Sequence, residues 1–101
     1  MSQKLIDVRV LEAAAEVIKM LGHPMRLRIV ELLEKREKSV SELTAALRVE
    51  QAIVSRQLVK MRSKGIVAAR RSGVNVFYRV DNPRVFKILD CVRHCSPEDF
   101  R

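Results

Sequence analysis

The apolar pattern of this chain changes period at Gly65, and that change limits the folds open to it. Before Gly65 the apolar positions recur every three or four residues, the repeat of helices that bury one face. After it, Ile66–Arg71 and Val76–Val80 are short runs rich in β-branched and aromatic residues on either side of Ser72-Gly73-Val74-Asn75. Such runs around a Gly/Asn tip predict a β-hairpin. A last stretch holding Val85, Ile88, Leu89 and Val92 returns to the helical period. The fold class is therefore mainly α with a small β-hairpin, in the order α-α-α-α-β-β-α. The 101 residues suffice for one domain with a single modest core, so residues 1–101 are read as one unit. With no Trp, three Phe and one Tyr, that core must be aliphatic, which suits packed helices.

Local signals set the boundaries. Residues 4–21 form the first helix, with Ile6, Val10, Ala13, Ala14, Val17, Ile18 and Leu21 on its apolar stripe, and Gly22 stops it. His23-Pro24 restarts the chain with Pro24 at the first helical position, and a second helix runs to about Lys35. Glu34–Lys38 carries both signs of charge and reads as a solvated helix end and loop. Ser39-Val40-Ser41-Glu42 is a capping box that opens a short helix through Leu47. Arg48-Val49-Glu50 is a tight turn, and a further helix spans Gln51 to about Ser63. There Val54, Leu58 and Met61 point inward, while Ala52, Ser55, Arg56 and Val59 lie opposite. Two short helices joined by so tight a turn make a helix-turn-helix. Asn82 at the N-cap and Pro83 at the first position open the last helix, and Ser96–Asp99 is another cap-like turn.

The charge is distributed unevenly over this framework. The chain carries a net +8, yet residues 51–80 hold seven basic residues and no Asp or Glu, while the flanking segments are nearly balanced. A solvated face carries mixed signs; a concentrated basic segment predicts a surface for a polyanion. A helix-turn-helix followed by a basic hairpin is a winged-helix pattern, whose second helix enters the major groove of double-stranded DNA. Gln51, Ser55 and Arg56 suit base edges, with Lys60 further along the same helix. Arg70, Arg71 and Arg79 on the hairpin suit phosphates or a narrow minor groove. Other classes fit poorly. There is no Gly-rich phosphate loop, paired-carboxylate constellation or nucleophile–base arrangement, so the chain is not read as an enzyme. Only Phe77 and Tyr78 supply aromatics in the basic segment, too few for an RNA stacking platform, and Tyr78 is expected to pack under the hairpin. No run is long and apolar enough for a membrane span, and two cysteines are too few for a disulfide framework. The chain is read as soluble and intracellular.

The stretch Leu21-Gly-His-Pro-Met-Arg-Leu-Arg-Ile-Val, then Ser39-Val-Ser-Glu-Leu, Gln51 to Leu58, Gly65-Ile-Val and Phe77-Tyr78-Arg-Val resembles the ArsR/SmtB-type winged-helix repressors over almost the whole chain. The resemblance implies a homodimeric bacterial transcriptional repressor on a palindromic operator, located in the cytoplasm and associated with the nucleoid. It also implies that the first and last helices, about 4–21 and 83–95, form the dimer interface, and that a metal, redox or small-molecule signal releases the DNA. Carried over by position, Gln51, Ala52, Ser55 and Arg56 face the groove. Ala52 departs from the usual Ser or Thr and offers an apolar contact, and Gln57 replaces the commoner His as a helix support. The first helix gives its own reason for a dimer. Leu5, Val8, Leu11 and Ala15 widen its apolar arc beyond what one core can cover.

The family's metal positions are altered. One pair falls on Ser39 and Ser41, whose hydroxyls are poor ligands for soft metals. Another set falls on Asn82, Arg84, Cys95 and Glu98, where Arg84 cannot ligate a cation. What remains is Cys91, His94 and Cys95 on one flank of the last helix. Three readings stay open: a site for zinc, cadmium or trivalent arsenic, a disulfide across the dimer, or two inert cysteines packed as small hydrophobes. The alternative to a signal-released repressor is a constitutive, non-sensing DNA-binding repressor or an architectural nucleic-acid-binding protein.

Overall fold

The computed structural model describes residues 4–100. Helix α1 spans Val8–Leu21. It starts later than the periodicity predicts, because the Asp7 carboxylate accepts the Arg9 backbone N–H at 2.9 Å and caps the helix there. Helix α2 spans Pro24–Leu32. His23 Nδ1 accepts the Met25 N–H at 3.1 Å, so His23 is a helix-entry residue. Helix α2 ends short of the expected Lys35, and Leu33 turns into the core.

Residues read as loop instead contain a strand. Strand β1, Lys38–Ser39, pairs antiparallel with β3, Asn75–Val80, placing Lys38 opposite Tyr78 and Ser39 opposite Phe77. Two residues carry no periodic signal, and their partner lies far along the chain. Strand β2, Val67–Ser72, completes the sheet in the order β1-β3-β2. The hairpin tip is Gly73-Val74, with Gly73 at φ 61° and a negative φ at Val74, the type II′ pattern that matches the strand twist.

Helix α3, Val40–Leu47, opens with the capping box. Ser39 Oγ accepts the Glu42 N–H at 3.1 Å, and the Glu42 carboxylate accepts the Ser39 N–H at 3.0 Å. Arg48 closes α3 in the left-handed region at φ 58°, redirecting the chain into helix α4, Gln51–Ser63. Helix α5 spans Val85–Arg93. It begins two residues after the expected Pro83, since Asn82 Oδ1 takes the Arg84 N–H at 3.1 Å and Pro83-Arg84 forms a turn. Its end falls short of Cys95, and a 3-10 turn follows at Pro97–Phe100.

The core gathers Ile29 and Val30 of α2, Leu43 of α3, Val54, Leu58 and Met61 of α4, Ile66, Val67 and Tyr78 of the hairpin region, and Val85 and Leu89 of α5. Each buried aliphatic side chain contributes about 1.5–3 kcal/mol. Gly65, at φ 73°, lets the chain double back so that the Ile66 N–H reaches the Met61 carbonyl at 3.0 Å. Asp81 N–H then bonds the Ile66 carbonyl at 2.8 Å, closing the base of the hairpin. Helix α1 stands apart from this core. Only Leu21 is buried in it, and Val8, Val10, Leu11 and Ile18 are exposed. The radius of gyration, 15.5 Å, exceeds the roughly 13 Å expected for a compact chain of this length.

Ser39→Ala should lower stability by about 1 kcal/mol in denaturant unfolding, the usual cost of a lost N-cap. Glu42 adds a pH dependence. Its hydrogen bond from Arg36, then the bond from the Ser39 backbone, lowers its pKa from 4.5 to about 2. The folded state therefore holds this proton more weakly than the unfolded chain does. The contribution of Glu42 is complete at neutral pH and should be lost as pH falls from about 4.5 through about 2. Glu42→Gln should flatten that part of the stability–pH curve, measured by thermal unfolding.

Candidate nucleic-acid interface

Helix α4 is held from behind by Val54, Leu58 and Met61, none of which has measurable exposure. That anchoring turns Gln51, Ala52, Arg56, Val59 and Lys60 outward into solvent, with Ser55 half-buried beside them. Arg56, Lys60 and Arg62 form no ion pair among the described residues. Elsewhere on the surface most arginines are matched by carboxylates. Arg9 meets Asp7, Arg28 meets Glu31, Arg36 meets Glu42, and Arg93 meets Glu34 and Asp90. The outer face of α4 is thus an uncompensated cationic surface carrying amide, hydroxyl and small apolar groups.

Two polar ties hold α4 to the rest of the molecule. Arg26 Nε donates to Gln57 Oε1 at 2.7 Å, and Arg26 Nη1 donates to the Met20 carbonyl at 3.0 Å. Gln57 therefore supports the helix, through a partner that sequence spacing does not reveal. At the other end of α4, Lys64 lies 3.5 Å from Glu16 of α1. Both ties run to α1 or its last turn.

The hairpin separates its three arginines. Strand register puts Arg71 opposite Val76, on the face shared with Val67, Ala69 and Tyr78, but beyond the core's edge. Arg70 and Arg79 lie on the other face, opposite Phe77 and Ala68. Arg70 pairs with Glu37 at 2.5 Å, and Arg79 approaches Asp81 at 3.9 Å. Arg71 alone of the three forms no ion pair among the described residues. The sequence reading treats the three as equivalent, but the fold does not. Tyr78 is buried as expected.

Comparison with known proteins places this geometry. The model of bacterial regulatory proteins of the arsR family matches residues 23–69, from the start of α2 into β2. The transcriptional repressor PagR of Bacillus anthracis is 38% identical over 85 residues, covering 83% of this chain and 85% of that protein. Its crystal structure superimposes with a TM-score of 0.76 at 36% identity, over 85% of this chain and 99% of that one. The HTH-type transcriptional repressor SmtB of Mycobacterium tuberculosis is 37% identical over 90 residues, 88% of this chain and 67% of that protein. The chain belongs to the ArsR family. The family is one of DNA-binding transcriptional regulators, so the chain is not an enzyme. A further solved ArsR-type neighbour is a homodimeric winged helix-turn-helix DNA-binding domain from Mycobacterium bovis. It is 29% identical with a TM-score of 0.75, over 91% of this chain and 85% of that one.

In this ArsR-family chain the residues at the altered metal positions have other work. Ser39 caps α3 and Asn82 takes the Arg84 N–H. Cys91 and Cys95 are free and exposed, with the Cys95 thiol donating to the Cys91 carbonyl at 3.3 Å. In this chain they are not core hydrophobes, which corrects that reading. The apolar stripe of α5 is carried by Val85 and Leu89, and the cysteines fall outside it. His94 closes α5. Among the described residues no three His, Cys, Asp or Glu side chains gather as a metal group. Both thiols should react with a colourimetric disulfide reagent in the native protein without denaturant, giving two equivalents per chain.

Proposed function

We propose that this chain is a sequence-specific, homodimeric repressor of transcription. In this reading α4 lies in the major groove, with Gln51, Ala52, Ser55 and Arg56 at base edges and Lys60 at the backbone, while Arg71 and Arg79 on the wing reach phosphates. The observation that carries the reading is the unpaired cationic outer face of α4. Six of the twelve described arginines have carboxylate partners, and both arginines of the one helix a winged fold presents to DNA, Arg56 and Arg62, are among those that have none there. The relatives named as transcriptional repressors support the same direction of control.

The dimer is supported by α1. Its exposed Val10, Ala13, Ala14 and Ile18 and half-buried Val17 line, with Ile88 of α5, an open groove of about 750 Å³. Two copies joined through α1 and α5 would cover these faces and present two α4 helices to a palindromic site. The homodimeric domain from Mycobacterium bovis is built on the same fold. Residues 1–101 act as one such domain, and a chromosomal partner puts it in the cytoplasm.

For the signal, the exposed thiols of Cys91 and Cys95, four residues apart across the end of α5, favour release by oxidation or by a thiophilic metal. Since no three such side chains gather among the described residues, a zinc-type site would need His94 to turn toward the thiols or residues of a second copy. The competing reading is a constitutive repressor without a sensor.

In gel-shift titrations, Arg71→Ala should reduce the slope of log affinity against log salt by about 0.9 per subunit. Arg56→Ala should weaken binding and also relax discrimination at one base pair by about 1–3 kcal/mol. Equal affinity of the wild type for selected and random duplexes would reject a specific repressor. Cys91→Ser/Cys95→Ser should keep DNA affinity and lose release by oxidant or metal. A double variant that still releases normally would leave the thiols without a sensing role.

A further inference from the structure

Arg70, Phe77 and Ser39 stand in one cross-strand row on the outer face of the sheet, because Arg70 pairs with Phe77 and Phe77 with Ser39. The Arg70 side chain lies along this row. Its guanidinium carbon sits 5.0 Å from the centroid of the Phe77 ring. From there Nε and Nη2 donate to Glu37 Oε1 at 3.0 and 2.5 Å. Glu37 immediately precedes β1, so the charge of Arg70 is carried across β3 and back toward the body of the molecule. The two side chains are partly covered, at 49% and 33% exposure. The Arg70 hydrogen bond also holds the Glu37 carboxyl below its ordinary range, with a smaller pull from Arg79.

This arrangement competes with any contact to a phosphate. A phosphate that captured Arg70 would replace one anion by another and would disturb the ring stacking, so little binding energy would be gained. The pair instead fastens the wing. Glu37 is the last residue before β1, and β1 leads straight into the capping box of α3. Arg36, one residue earlier, bonds Glu42 of that same box at 2.7 Å. The wing is therefore tied to the N-terminus of α3, which packs against α4. Its tilt is set relative to the DNA-facing helix.

We infer that Glu37, Arg70 and Phe77 form a latch that fixes the wing, and that Arg70 is a positioning residue and not one of the phosphate contacts. The latch stands on its own geometry, while the statement about phosphates rests on the DNA-binding reading above.

Two measurements test it. In the DNA-free protein, Arg70→Ala and Glu37→Gln should each speed amide hydrogen exchange across β2–β3 several-fold. Unchanged exchange in both variants would overturn the latch, whatever the protein binds. With duplex DNA, Arg70→Ala should weaken binding by a similar factor at every salt concentration, leaving the salt slope at the wild-type value. Glu37→Gln, which frees the guanidinium, should steepen the slope by about 0.9 per subunit. A drop in slope for Arg70→Ala matching that of Arg71→Ala would overturn the positioning role. A wild type whose duplex affinity ignored salt would sink the DNA reading, with amide exchange still deciding the latch.

Discussion

Burial of one face of α4 is the constraint on which the rest of this structure depends. Val54, Leu58 and Met61 are fully enclosed in the core, with α4 packed mainly on α3 and β2. Because a helix repeats every 3.6 residues, fixing that stripe also fixes the direction of the opposite one. Gln51, Ala52, Arg56 and Lys60 face solvent for this reason. Helix α3 has only eight residues, too short to persist alone, so it depends on the same core and on its capping box.

Around that apolar centre, polar ties set orientation more than stability. Exposed ion pairs are individually weak, yet those here join elements that the core leaves free to tilt. Arg26 links Gln57 of α4 to the Met20 carbonyl of α1, and Lys64 meets Glu16 of α1. Arg70 and Glu37 join the wing to the segment entering α3. A chain whose α1 lies largely off its own core gains most from such ties, because packing alone holds that helix loosely.

Much of this was legible beforehand where the signal is local. The capping box at Ser39–Glu42, the stop at Gly65, the hairpin tip at Gly73 and the stripe of α4 all depend on neighbours within a few residues. Helix ends were less legible. Asp7 started α1 late, and the Asn82-Pro83 turn delayed α5, since capping geometry depends on where the chain must go next. Strand β1 was missed because its only evidence is a partner some forty positions away. The cysteines were left open in the sequence, and only the packing of Val85 and Leu89 turned them out of the core.

The sequence by itself determined the winged helix-turn-helix order and the residues that could meet DNA, because amphipathic period, caps and turn chemistry are local properties. Tertiary structure decided which of those charges are free. Arg56, Lys60 and Arg71 have no carboxylate partner among the described residues, whereas Arg70 is held by Glu37 from a distant segment. Charge composition counts cations, but only the folded chain brings a particular carboxylate within reach of one of them.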